Sequence, residues 1–280
     1  MRKRNAPDIN EKKVGLALSG GAVLGIAHLG VIRVLEENNI PIHCVAGTSA
    51  GAMAGAFVAA GFSFAEMWKA TRRMSWGKIG GLTISRKGLF NSKVLQRFME
   101  SKIGKKRFTD LKIPFATTAV DLMTGECLVI REGSVAEAVR ASCIIPGVYS
   151  PLEKAGRVLI DGGFRNFLPV DVARELGADY VIAVKLVPQR APLKLQNVFQ
   201  ILIASLALGM RNNAQNAPDG DVTIVPDLRG LNSYDFDKAE ELVRRGEEAA
   251  RAALPQIQSD LAAAPARPRL WTRIKSTLLR

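Results

Sequence analysis

Residues 40–60, IPIHCVAGTSAGAMAGAFVAA, decide the fold. Ile42 to Ala46 is a short apolar run of the length of a buried strand. Gly47-Thr48-Ser49-Ala50-Gly51 follows, and Ala52 to Ala60 is a small-residue segment that reads as a helix. Gly-x-Ser-x-Gly between a strand and a helix is the pattern of a nucleophile elbow. The sharp turn lifts the Ser49 hydroxyl out of the sheet, and Gly47 and Gly51 leave room where a Cβ would strike neighbouring backbone. Ser49 then stands at a helix N-terminus, where amide dipoles favour an incipient alkoxide. Taken alone, the pattern has a second reading: a tight turn whose serine caps the helix.

Working outward, Val14 to Leu18 is another buried strand and runs into Ser19-Gly20-Gly21. Ile26, Leu29, Val31, Val34 and Leu35 give helical spacing over Ile26 to Asn38, which Asn39 and Pro41 end. Strand, helix, strand, helix implies a parallel sheet with right-handed crossovers. Residues 62–109 are rich in Lys, Arg, Met and Trp, helical in pattern around Phe64 to Met74 and Ser92 to Ile103. They are expected to form a helical insertion over the sheet edge, with Met67, Trp68, Met74 and Trp76 as candidate contacts for an apolar ligand. Pro114 to Asp121 and Cys127 to Arg131 read as paired strands, Val135 to Ser142 as a helix, and Val158 to Ile160 as a strand running into Asp161-Gly162-Gly163. Helix Val170 to Leu176, strand Tyr180 to Val184, helix Asn197 to Arg211, strand Val222 to Val225 and helix Lys238 to Leu254 follow. Val198, Ile201, Leu202, Ser205, Leu208 and Gly209 form one helical face, expected to pack on the sheet.

A serine nucleophile needs a base, and the usual one is histidine. The chain has only His28 and His43, both before Ser49, so a triad in the order Ser, Asp, His is excluded by composition. His43 opens the strand that leads to the elbow, about a strand length from Ser49, and His28 suits a packed, hydrogen-bonded role. Carboxylates are left. Asp161 ends an apolar strand, and in a parallel sheet strand C-termini share the edge where sites form. Asp161 is therefore positioned to take the Ser49 proton directly, although Asp-Gly-Gly is also a common turn. Ser19-Gly20-Gly21-Ala22 is a small-residue loop whose N–H groups suit a developing oxyanion. It is not a dinucleotide loop, because Ala22 replaces the second glycine and no acidic residue ends the next strand. It is not a phosphate-binding P-loop, because no Gly-Lys-Ser/Thr follows.

The 280 residues are 48% hydrophobic, enough for one large domain with a sizeable core. No run reaches the roughly 18 apolar residues of a membrane span. No apolar segment suggests a secretory signal behind the polar, charged start. Cys44, Cys127 and Cys143 lack metal-ligand spacing and read as reduced thiols of a cytoplasmic protein. The formal net charge is +13. That favours peripheral contact with an anionic membrane; its alternative reading is solubility alone. No nucleic-acid recognition motif accompanies it. Residues 1–13 form a basic extension, 14–255 a hydrolase domain, and 256–280 an Ala/Pro linker with a basic tail. Leu270, Trp271, Ile274, Leu278 and Leu279 among basic residues resemble a short interfacial helix, or a solvated tail.

These pieces in this order resemble the patatin-like phospholipase family, bacterial members in particular, from about Val14 to Leu254. The resemblance rests on Gly20-Gly21-Ala22-Val23-Leu24-Gly25, Gly47-Thr48-Ser49-Ala50-Gly51, Arg140-Ala141-Ser142 with Pro146, Asp161-Gly162-Gly163, and Asn166 with Pro169. It implies a three-layer α/β/α fold with a mainly parallel central sheet. It further implies a lipid acyl hydrolase with a Ser49–Asp161 dyad, an acyl-enzyme, an oxyanion hole from the N–H groups of Gly20, Gly21 and Ala22, and no metal or cofactor. The family usually has Arg or Lys where this chain has Leu24, and Gly where it has Ala22. Loss of that cation suggests a weaker preference for phospholipid, unless Arg33, Arg140 or Arg165 supplies the charge. It also keeps open a second function, a catalytically weak lipid-binding or regulatory protein on the same scaffold.

Overall fold

The computed structural model describes residues 12–75, 82–85, 88–187, 198–234 and 236–263. The basic N-terminal extension up to residue 11, Trp76 and the tail from residue 264 lie outside the described residues. In chain order the strands and helices are β1 (Val14–Leu18), α1 (Ala27–Glu37), β2 (Cys44–Gly47), α2 (Ala50–Ala59), α3 (Phe64–Thr71), β3 (Leu82–Ser85), β4 (Gly88–Phe90) and α4 (Lys93–Ile103). Then come β5 (Phe115–Asp121), β6 (Cys127–Ile130), α5 (Val135–Ser142), β7 (Leu152–Lys154), β8 (Arg157–Asp161), α6 (Val170–Glu175), β9 (Tyr180–Val184), α7 (Val198–Gln215), β10 (Val222–Ile224) and α8 (Ala239–Ala262).

The main sheet has the order β10-β9-β1-β2-β5-β8-β7, with β6 also paired to β5. β10, β9, β1, β2 and β5 are parallel; β6 and β8 run antiparallel to β5. The apolar runs of β1, β2 and β9 are buried on both faces, as a covered parallel sheet requires. Leu16, Leu18, Val45, Ile182 and Val184 join the larger core with α1, α2 and α8. The alternate residues Ala17, Ala46, Ala116, Val181 and Ala183 pack with Val170, Val172 and Ala173 of α6. Helices on both faces give a three-layer α/β/α architecture.

Three sequence expectations are corrected. The insertion is not purely helical: β3 and β4 form an antiparallel pair between α3 and α4. Met67 is fully buried, and Trp68 is half-buried against the core, so neither is a free lipid contact. The stripe expected to cover the sheet from α7 faces outward instead, with Val198, Ile201, Leu202, Ser205, Leu208 and Gly209 all exposed. In addition, the closing helix runs past Leu254 and through Pro255 to Ala262.

Candidate active site

β5 brings the two halves of the site together. Its first residues pair with β2, ending at Gly47 opposite Thr117, and its last pair with β8, ending at Asp161 opposite Ala119. Because β8 is antiparallel, the ends of β2 and β8 approach one another at Thr118. A shared row of parallel C-termini, the arrangement expected for Asp161, is not how the pair forms. Thr48 Oγ1 lies 2.7 Å from Thr118 Oγ1 and donates to the Asn166 carbonyl at 2.9 Å. Thr117 Oγ1 donates to the Gly47 carbonyl at 2.8 Å. These three threonines lock the elbow to the turn after Asp161. Thr117 and Thr118 are ordinary strand residues in the sequence and Thr48 is a variable position of the elbow, so their bonding could not be read there.

Ser49 has φ 55° and ψ −120°, a sparsely populated conformation for a residue with a side chain. Such a residue costs about 1–3 kcal/mol and persists where its surroundings over-determine it. Here its own N–H donates to Ser142 Oγ at 2.8 Å. The glycines of the elbow are required by close approach: a Cβ on Gly47 would lie 2.3 Å from the Gly51 carbonyl, and one on Gly51 2.2 Å from that of Leu18. Gly25 presses on Ala50 and Gly162 on Thr118 in the same manner, whereas at Gly163 the nearest atom is the flexible end of Met210.

Asp161 is fully buried. Oδ1 accepts the Gly163 N–H at 2.8 Å, while Oδ2 has no partner. Burial lifts the carboxyl pKa to about 7, and the Ser49 hydroxyl and the Gly163 N–H hold it from rising further. The hydroxyl of Ser49 is thus near enough to favour the carboxylate, without the geometry of a formed hydrogen bond. Catalytic contacts commonly tighten only when substrate binds. The Cys143 thiol completes this corner beside Ser49; burial foremost, with the Asp161 charge, keeps it protonated.

In the glycine loop, the Gly20 N–H donates to the Phe167 carbonyl at 3.0 Å and the Val23 N–H to that of Ser233 at 3.2 Å. The expectation of Gly20 as an oxyanion donor therefore fails in this conformation: its hydrogen is already spent. Gly21 and Ala22 carry N–H groups without a partner among the described residues, and Ala50, at the start of α2, does likewise. Ala22 holds φ 50°, where the family norm of glycine would carry no steric penalty.

The two histidines are both hydrogen-bonded to backbone. His28 is buried and its Nε2 bonds the Ser19 carbonyl at 2.9 Å; burial lowers its pKa to about 4, so it is a neutral ring that donates to the loop backbone. His43 Nδ1 accepts the Val14 N–H at 3.0 Å, at the far end of β2. Leu24 is fully buried in the core and does not line the site. Of the cations named as replacements for the family's, Arg33 is paired with Glu37 and Glu247 on the outside of α1. Arg140 is buried against Ser92 Oγ and Gln96. Arg165 is exposed beside the Asp161 turn, its Nε donating to the Gly125 carbonyl.

An apolar cavity opens at Ser49. Met53, Ala54, Phe57, Leu29, Leu95 and Met74 are among its lining. The wall is almost wholly hydrocarbon, which suits an apolar ligand. Among the described residues no group of His, Cys, Asp and Glu is arranged to hold a metal ion.

The patatin-like phospholipase family model matches residues 16–174. An uncharacterised NTE family protein of Mycobacterium tuberculosis is 30% identical over 278 residues, covering 89% of this chain and 48% of that protein. Patatin-like phospholipase domain-containing protein 6 of Homo sapiens is 33% identical over 181 residues, covering 61% of this chain and 13% of that protein. The chain thus spans at most about half the length of these relatives. VipD from Legionella pneumophila shares the fold, with a TM-score of 0.62 at 14% identity over 88% of this chain and 67% of that one. ExoU from Pseudomonas aeruginosa, solved with SpcU, gives 0.52 at 16% identity over 90% and 53%.

Proposed function

The chain belongs to the patatin-like phospholipase family, whose model spans more than half of it, and from that membership we propose that it hydrolyses acyl esters of lipids through Ser49 and Asp161. The observation that carries this reading is the fully buried carboxyl of Asp161, one oxygen of it unpartnered, at the corner it shares with a strained elbow serine.

In the first half-reaction the Asp161 carboxylate takes the Ser49 proton as Oγ bonds to the ester carbonyl carbon. The carbonyl π electrons move onto oxygen, and that oxyanion meets the free N–H groups of Gly21 and Ala22 at the N-terminal end of α2. Collapse of the tetrahedral intermediate breaks the ester C–O bond, and Asp161 returns the proton to the departing alcohol. This leaves an acyl group on Ser49 and its chain in the apolar cavity. Water then attacks the acyl-enzyme by the same sequence, giving a fatty acid and regenerating Ser49. The pKa near 7 suits Asp161 to both roles, since it is neither too acidic to accept a proton nor too basic to give one up.

The second reading, a lipid-binding protein with little turnover, rests on Leu24. That side chain is buried away from the cavity and lends it no support. Labelling by a fluorophosphonate tests the proposal: a single adduct on the peptide carrying Ser49, absent in Ser49→Ala and strongly slowed in Asp161→Asn, is expected. An adduct on another residue, or none on a folded protein, would refute it.

A further inference from the structure

The apolar stripe of α7 faces outward. Val198 is 82% exposed, Leu208 58%, and Ile201 and Leu202 each 49%. Contiguous exposed apolar surface of this kind marks an interaction site. The opposite side of the helix is anchored at its C-terminal end. Ala214 is buried, and Asn213 Nδ2 donates to the carbonyls of Gly163 at 3.1 Å and Phe164 at 2.8 Å. The helix is therefore bolted to the turn that carries Asp161, and its remaining length presents hydrocarbon to water.

Charge selects the occupant. Residues 186–217 contain Arg190, Lys194 and Arg211 and no Asp or Glu, in a chain of net charge +13, while Lys185 before them is paired with Asp219. A second copy would bring the same cationic segment against itself. An anionic lipid surface matches both features, with acyl chains for the stripe and headgroups for the cations. Leu122 and Met123, 52% and 74% exposed, form a second exposed apolar pair in the β5–β6 turn, to which Arg165 is hydrogen-bonded. Arg165 is itself in the segment that α7 holds.

We propose that the outward face of α7 is the surface by which this protein docks on anionic lipid, placing the Ser49 cavity at the membrane that supplies its substrate. The proposal rests on the lipid-hydrolase reading for the substrate but not for the docking, and the test separates them. The 280-residue chain carrying Ser49→Ala is sedimented with vesicles of phosphatidylcholine alone and with roughly a third phosphatidylserine. The same is done with Ile201→Asp plus Leu208→Asp, and with the milder Ile201→Ser plus Leu208→Ser, each checked for an unchanged thermal transition. The parent should bind the anionic vesicles, lose binding in high salt, and bind at least about tenfold more tightly than the Asp pair, with the Ser pair between. Equal binding by parent and both variants would overturn the proposal. So would an absence of vesicle binding, or a stripe whose substitution splits a dimer without changing vesicle binding. With Ser49 intact, hydrolysis of a short soluble ester should be the same in parent and stripe variants. No soluble-ester activity together with stripe-dependent docking would sink the catalytic reading and leave the docking standing.

Discussion

Replacing Asp161 by Asn should stabilise the protein as the pH rises. The carboxyl is fully buried and titrates at about 7, against an ordinary value of 3.8. A folded-state pKa raised above the unfolded one means the native state holds a proton that the unfolded chain has released. That contribution is fully present below the unfolded pKa and is lost as pH rises toward 7. The shift of about three units corresponds to roughly 4 kcal/mol. In Asp161→Asn the amide oxygen can still accept the Gly163 N–H, and nothing there titrates. The amide's extra hydrogens have the same fit at every pH, so they add only a constant offset. The stability difference between variant and parent should therefore grow by about 4 kcal/mol between roughly pH 4 and pH 8. At roughly 2 °C per kcal/mol for a chain of this size, the Tm difference should widen by about 8 °C. Paired thermal or urea unfolding of the two proteins across that range measures it, and every other titrating group cancels in the difference. The ascending limb of kcat/KM should share its midpoint, because the base must be ionised to act. A Tm difference that stays flat from acid to alkaline pH would refute the buried, raised carboxyl and with it the reasoning for a direct Asp base.

Three other outcomes follow from the geometry. Leu24→Arg should not convert the protein to a phospholipid specialist. It places an unpaired guanidinium in the core and should lower stability by several kcal/mol, on the order of 3 to 5, in urea unfolding, whereas Leu24→Met should cost under about 1.5. Ala22→Gly removes an L side chain from φ 50° and should raise stability by up to about 1 kcal/mol with hydrolysis intact; a loss of activity would show that the methyl helps hold the loop. Ala54→Phe fills the cavity one turn beyond Ala50 and should shift the preferred p-nitrophenyl ester to shorter chains, a change that a chain-length series of kcat/KM would register.

The elbow was legible because its chemistry is local. A strand, two glycines that no Cβ could replace, and a small-residue helix are adjacent in the sequence. The candidacy of Asp161 comes by elimination, since no histidine follows Ser49. The direction of β8 was not legible: an apolar run has the same pattern whichever way its strand points, and here antiparallel pairing with β5 makes the site. The stripe of α7 was seen correctly as a face but assigned to the core, because periodicity gives a face without saying what covers it. Leu24 was read against the family's cation by sequence position, but the short turn of Ala22–Ile26 directs its side chain into the core. The use of the Gly20 N–H by Phe167 is a long-range backbone bond to which no residue type gives a clue. Trp76 and the basic ends fall outside the described residues.

The central claim is that Asp161, and no imidazole, takes the proton of Ser49. Steady-state kcat/KM on a soluble acyl ester, measured for Ser49→Ala, Asp161→Asn, His43→Gln and His28→Asn with folding checked by thermal unfolding, tests it most directly. Loss of a positioned base or nucleophile should cost at least about a thousandfold for the first two. His43→Gln should stay within a few-fold of the parent, and His28→Asn should lose stability, through the Ser19 carbonyl bond, more than turnover per folded molecule. A folded Asp161→Asn that keeps its activity, beside a folded histidine variant that has lost it, would contradict the account.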